Sequence, residues 1–184
     1  MGAPCHGEFS LARCLFVMEK EIRVISIRVS KYNPIYRDEN GAYTKNEWIS
    51  YYDIGRCFEG EILTEEQYLE VENGYLNVIK NLYEIYPSLI LNIEGLEQID
   101  KNSAKWKDGD RITKDNIEEL ARAILREKVW CKLINENVEV HFGYDYYMYI
   151  VFVKGCSVHS IIKCLKRIRQ NGLFIEKKPV IYYE

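Results

Sequence analysis

Histidine is scarce in this chain, with three in 184 residues. His6, His141 and His159 stand far apart, and no carboxylate at ligand spacing accompanies them, so no metal site is expected. The six cysteines (Cys5, Cys14, Cys57, Cys131, Cys156 and Cys164) include no Cys-x-x-Cys pair, which removes the structural zinc pattern. Gly-x-Gly-x-x-Gly and Gly-x-x-x-x-Gly-Lys phosphate loops are missing, and so is a Gly-x-Ser-x-Gly nucleophile elbow. No apolar run approaches the roughly 20 residues that cross a bilayer. Basic charge is not in excess: 25 Lys and Arg stand against 28 Asp and Glu, for a net charge of −3 and a pI near 5.8. That balance argues against a dedicated nucleic-acid binder. No internal repeat or low-complexity segment is present. The first residues carry no basic region before their apolar segment, and Arg13 interrupts it, so a secretory signal is not expected. With no export signal, reduced thiols in a cytoplasm are the expected state.

What the chain does have is aromatic surface: 15 Tyr, 6 Phe and 3 Trp. Two readings stand side by side. Tyrosine suits the half-buried strands of a β-rich core, and it also supplies contact area at low entropic cost on a binding surface. The 184 residues are enough for one domain with a substantial core.

The clearest structural writing is Val138–Lys178. Two β-branched and aromatic runs, 138–142 and 147–153, flank turn residues Gly143–Asp145, a hairpin pattern. Ser157 then caps a helix to Asn171, with Val158, Ile161, Ile162, Leu165 and Ile168 as its buried stripe and Gly172 after its end. Leu173–Tyr183 closes with a strand that Pro179 interrupts. Upstream, 21–30 alternates as a strand with β-branched residues on both faces, which suits a central position. Residues 35–60 are rich in loop, with a turn at Arg37–Gly41, a short strand or turn at Glu47–Ser50 and a single helical turn from Tyr51. Such long irregular segments are often functional. Thr64–Tyr86 is a helix, with Thr64 and Gln67 as a capping box, Gly74 as a weak point and Pro87 as its stop. Strand character returns around Leu89–Ile93. Thr113 is expected to cap a helix to about Lys128, and Val129–Ile134 to form a strand before the hairpin. The sum is an α+β fold: a mixed, mainly antiparallel sheet with about three helices packed on it. Residues 1–17 fit neither period and read as a disordered tail or non-native start. Met18 reads as the natural start, and 18–184 as a single α+β domain.

Charge is segregated along the chain. From Asp53 to Glu72 seven acids face the single base Arg56, a net of −6. From Lys154 to Lys178 seven bases face the single acid Glu176, a net of +6. An acidic loop and helix start would meet a basic partner, because complementary fields speed encounter and suppress wrong partners. The basic stretch, with Lys163, Lys166, Arg167 and Arg169, leaves open a nucleic-acid-associated regulator. Cys156 and His159, spaced i, i+3 at a helix start, leave open an enzyme: a thiolate would be stabilised there, although no third group orients the pair.

Ser30-Lys31-Tyr32-Asn33-Pro34-Ile35-Tyr36-Arg37-Asp38, Gly41-x-Tyr43, Glu47-Trp48-Ile49-Ser50 and Asp53-Ile54-Gly55 resemble a set of small bacterial proteins. Phe142–Ile150 and Gly172–Glu176 fit the same set. The set is the immunity proteins of polymorphic and contact-dependent inhibition toxins, and the resemblance spans about residues 20–176. It implies a cytoplasmic, non-enzymatic protein without cofactor that binds and blocks the C-terminal domain of one cognate toxin, in many cases a basic nuclease. The expected partner-binding residues are Trp48, Tyr51, Tyr52, Asp53, Glu59, Glu61, Glu65 and Glu66. No membrane or nucleic-acid partner is expected.

Overall fold

A computed structural model describes residues 24–99, 105–153 and 155–177. The readings of residues 1–17, of Met18 as a start, of Lys154 and Lys178 and of the strand beyond 177 lie outside the described residues. Nine strands and three α-helices are described. In chain order they are β1 (Val24–Ser30), β2 (Cys57–Phe58), β3 (Glu61–Ile62), α1 (Glu65–Ile85), β4 (Leu91–Gln98), β5 (Arg111–Ile112), α2 (Ile117–Leu125), β6 (Val129–Ile134), β7 (Val138–Phe142), β8 (Met148–Val153), α3 (Val158–Gln170) and β9 (Phe174–Lys177). Seven strands form one sheet in the order β5-β4-β6-β7-β8-β1-β9, antiparallel at every pairing, and β2 and β3 form a separate small hairpin. The α+β reading holds.

The registers align one core-facing row of apolar residues across the central strands. Met148, Ile150 and Phe152 of β8 lie opposite Val29, Ile27 and Ile25 of β1 on one side, and Phe142, Val140 and Val138 of β7 on the other. These residues share one core with Leu76, Ile79 and Leu82 of α1, Leu120 and Ile124 of α2, and Ile161 and Ile168 of α3. β1, with β-branched residues on both faces, does sit inside the sheet, between β8 and β9.

Several boundaries depart from the sequence reading. The capping box of α1 forms: Thr64 Oγ1 accepts from Gln67 N and Gln67 Oε1 accepts from Thr64 N. Thr113, by contrast, does not cap α2. The N-cap is Asn116, whose side chain instead accepts from Thr113 N at 2.7 Å, and the helix stops at Leu125 because Glu127 adopts φ +55°. In α3 only Ile161, Cys164 and Ile168 are fully buried, and Val158, Ile162 and Leu165 are half-buried. Gly74 is no weak point. A Cβ there would stand 3.0 Å from the carbonyl oxygen of Asn171, so the glycine lets α1 approach the end of α3.

The registers fix which parts share an end. Val29 of β1 lies opposite Met148, so β1 ends where the β7–β8 turn begins. α1 starts at this end, since the hydroxyl of Tyr68 in its first turn accepts a hydrogen bond from Tyr146 of the β7–β8 turn. Val24, opposite Val153, marks the other end.

Candidate functional site

The loop after β1 is long but internally bonded. Asn33 caps a 3-10 turn at Pro34–Tyr36, and Ser50 with Asp53 forms a capping box on a second, Tyr51–Asp53. The Glu47–Ser50 stretch joins no strand of either sheet. Asp53 Oδ2 accepts from the backbone N–H of Ile49 and Ser50 at 2.9 and 3.1 Å, and Oδ1 accepts from Arg56 at 2.8 Å. The β2–β3 hairpin is tied back through Gly55 N to Leu63 O and Leu63 N to Arg56 O, both 2.9 Å.

A buried cation pins this loop to the sheet. The Lys31 side chain is 5% exposed, and its Nζ lies over the rings of Tyr32 and Trp48 at 4.1 and 4.3 Å. It donates to Glu47 Oε2 at 2.8 Å, while Tyr43 donates to the other Glu47 oxygen. Burial pushes the Lys31 amine down against the pull of Glu47. Burial also opposes ionisation of Glu47, but the hydrogen bonds from Lys31 and Tyr43 win and hold it below the usual carboxylate range.

Behind the loop lies a tyrosine relay. Tyr146 Oη donates to Tyr68 Oη at 2.9 Å, and Tyr68 Oη donates to Glu72 Oε1 at 3.1 Å. Glu72 is fully buried and takes both Arg122 and Arg126. Tyr75 Oη donates to Tyr146 O at 2.6 Å and accepts from Lys31 N. Burial first, and the neighbouring Tyr68 second, push Tyr146 far above the ordinary phenol range. Trp48 and Tyr51 pack on this group, with ring centroids 5.4 and 5.2 Å from Tyr68.

The expected binding residues therefore divide. Asp53 is buried and spends its carboxylate inside the loop; Trp48 and Tyr51 are half-buried in the aromatic cluster. Tyr52, Glu59, Glu61, Glu65 and Glu66 are exposed. Glu59 pairs with Lys45. Of the seven acids between Asp53 and Glu72, four stand exposed with no ion pair among the described residues: Glu61, Glu65, Glu66 and Glu70.

Of the apolar part of the same end, the sequence reading named Tyr52, with Trp48 and Tyr51 beside it, and missed the rest. Among the described residues, eight large hydrophobics are exposed. Ile35, Tyr36, Ile49, Tyr52 and Ile62 project from the loop and small hairpin, and Tyr144 from the β7–β8 turn. Ile99 follows β4 at the same end of the sheet, because Gln98 lies opposite Val129 and Trp130 donates to Phe142 O. Only Val24 is at the other end. Clustered exposed apolar side chains rimmed by charge mark interaction surfaces. A signal was present in the apolar residues scattered through a turn-rich stretch, but no period distinguished outward from inward.

The other two candidate chemistries are differently placed. Cys156 is half-buried and its Sγ donates to Asn137 O at 3.1 Å; burial pushes the thiol up, opposite to the activation expected at a helix start. His159 is exposed. On α3, Lys163, Lys166 and Arg169 are exposed, whereas Arg167 is engaged by Asn81 and Glu84. Among the described residues, no group of three or more His, Cys, Asp or Glu is placed to hold a metal ion, and no helix is long and apolar enough to cross a membrane.

Compared with family models, curated proteins and solved structures, the chain has no match.

Proposed function

We propose that this protein is a binding protein that neutralises a toxin domain by direct contact, the immunity partner of a bacterial toxin, without catalysis of its own. The observation that carries the reading is the concentration of exposed apolar residues and unpaired carboxylates at one end of the molecule. A second feature supports it. The phrases that carry the resemblance to immunity proteins fall on the frame of that same end: Lys31, Glu47 and Trp48 lock the loop, Asp53 caps it, and Phe142–Ile150 makes the strand turn behind it. Glu61, Glu65, Glu66 and Glu70 would steer a basic partner, and Tyr52, Ile49 and Ile62 would supply the desolvated contact.

The test uses the C-terminal domain of the product of the gene immediately upstream, as the candidate toxin. Reversing Glu61 and Glu65 to Lys is expected to slow association and flatten its dependence on salt, with dissociation changed less. Unchanged kinetics would remove the carboxylates from the account.

A second reading, a nucleic-acid-associated regulator, draws on the exposed Lys163, Lys166 and Arg169. It requires nucleic-acid binding that weakens steeply with salt, measured by fluorescence anisotropy on duplex and single strands.

A further inference from the structure

The turn between β7 and β8 is strained, and the strain has a visible product. Asp145 and Tyr146 adopt φ +57° and +61°, a left-handed region that aspartate tolerates but that is disfavoured for the bulky side chain of tyrosine. Tyr147 N donates to Tyr144 O, and Gly143 N donates to Tyr147 O, so the turn is closed and hydrogen-bonded. Tyr146 holds it from inside: its ring is buried against Trp48, Tyr68 and Tyr75, and its hydroxyl enters the relay to Glu72. The same turn leaves Tyr144, two residues earlier, 90% exposed, with exposed Asp145 beside it. An anchored, strained turn that lifts a bare aromatic ring into solvent is an arrangement whose use lies outside the fold.

We propose that Tyr144 is the anchor of the partner contact: its ring enters an apolar pocket on the partner protein that carries a Lys or Arg at its rim facing Asp145. This rests on the toxin-binding reading above. The pocket chemistry follows from the pair presented, a phenol whose ring seeks burial next to an unpaired carboxylate. The rigid turn reduces the conformational freedom lost on binding, which is what makes an exposed aromatic effective as an anchor. Through Tyr146 the turn packs on Trp48, the neighbour in sequence of exposed Ile49.

The test is calorimetric titration of the same upstream-encoded domain with wild type, Tyr144→Ala, Tyr144→Phe and Val24→Ala. Tyr144→Ala is expected to weaken binding at least about 30-fold, the scale of a hot-spot residue. Tyr144→Phe should stay within about fivefold because the ring carries the burial. Val24→Ala, at the far end, should match wild type. Thermal melts of all four should coincide, since Tyr144 touches little of the fold. Wild-type binding with an unchanged Tyr144→Ala overturns the anchor and leaves the binding reading standing; so does a Tyr144→Phe as weak as Tyr144→Ala. Absence of wild-type binding overturns both.

Discussion

Raising the pH should unfold this protein abruptly just above the ordinary tyrosine range. Tyr32, Tyr68, Tyr75, Tyr83 and Tyr146 are buried, and burial is the leading cause that holds each phenol well above its usual value. In the unfolded chain the same groups ionise near pH 10. Between those limits the folded state binds more protons than the unfolded state, so stability falls as pH rises. Each such phenol withdraws about 1.4 kcal/mol at about pH 11, and five withdraw about 7 kcal/mol, comparable to a typical total stability of about 5–15 kcal/mol. Tyr43 and Tyr86, half-buried, are also raised by burial and add to the same loss. Lys31 works the other way: its amine is lowered, so its contribution improves with pH only up to the ordinary lysine value near about 10.4 and is constant beyond. Above that point the tyrosines decide. The assay is phenolate absorbance and far-ultraviolet circular dichroism followed together against pH. The expected result is a cooperative loss of ellipticity between about pH 10.5 and 11.5, with the buried phenols ionising in the same step. Smooth ionisation of all phenols near pH 10, with the ellipticity retained, would refute the buried network.

Three other outcomes follow from particular contacts. Glu72→Gln leaves Arg122 and Arg126 without their shared carboxylate and should cost about 2–3 kcal/mol in urea denaturation, less than for a wholly buried pair because the arginines are 31% and 23% exposed. A cost under about 0.5 kcal/mol would show the pairs to be slack. Gly74→Ala should lower the denaturation midpoint: the helix gains up to about 1 kcal/mol from alanine, but the 3.0 Å approach to Asn171 O overpacks the α1–α3 contact by about 1–3 kcal/mol. A raised midpoint would mean that the end of α3 yields freely. Among Cys57, Cys131, Cys156 and Cys164, Cys57 should be alkylated first under native conditions, read by peptide mapping. Burial pushes Cys131 and Cys164 up to about 12 and shields them, so their early modification would contradict the packing.

The long elements were legible because each carries its own signal. The capping box at Thr64 and Gln67, the two β-branched and aromatic runs of the β7–β8 hairpin and the end of α3 at Gly172 are local patterns, and the structure repeats them. The strands β2, β3 and β5 escaped because two residues hold no period. The extent of the acidic surface was overstated for a different reason. A run of acids does not reveal which are engaged, and the partners that internalise Glu72 lie 50 and 54 residues away, on α2 and at its C-terminal cap. Asp53 is engaged by its own loop, with two backbone N–H groups, a geometry that composition does not express. Gly74 misled in the same way: helix propensity is local, but its neighbour is the carbonyl of Asn171. Tyr144 is one tyrosine among fifteen in the sequence, and only the left-handed turn beside it separates it from Tyr146, which points inward.

The most direct measurement is co-expression of this protein, tagged, with the C-terminal domain encoded immediately upstream, scoring growth and co-purification together. The account predicts that the domain alone arrests growth, that this protein restores it, and that the two elute as a stoichiometric complex. Growth arrest that persists with this protein present, with no complex recovered, would contradict it.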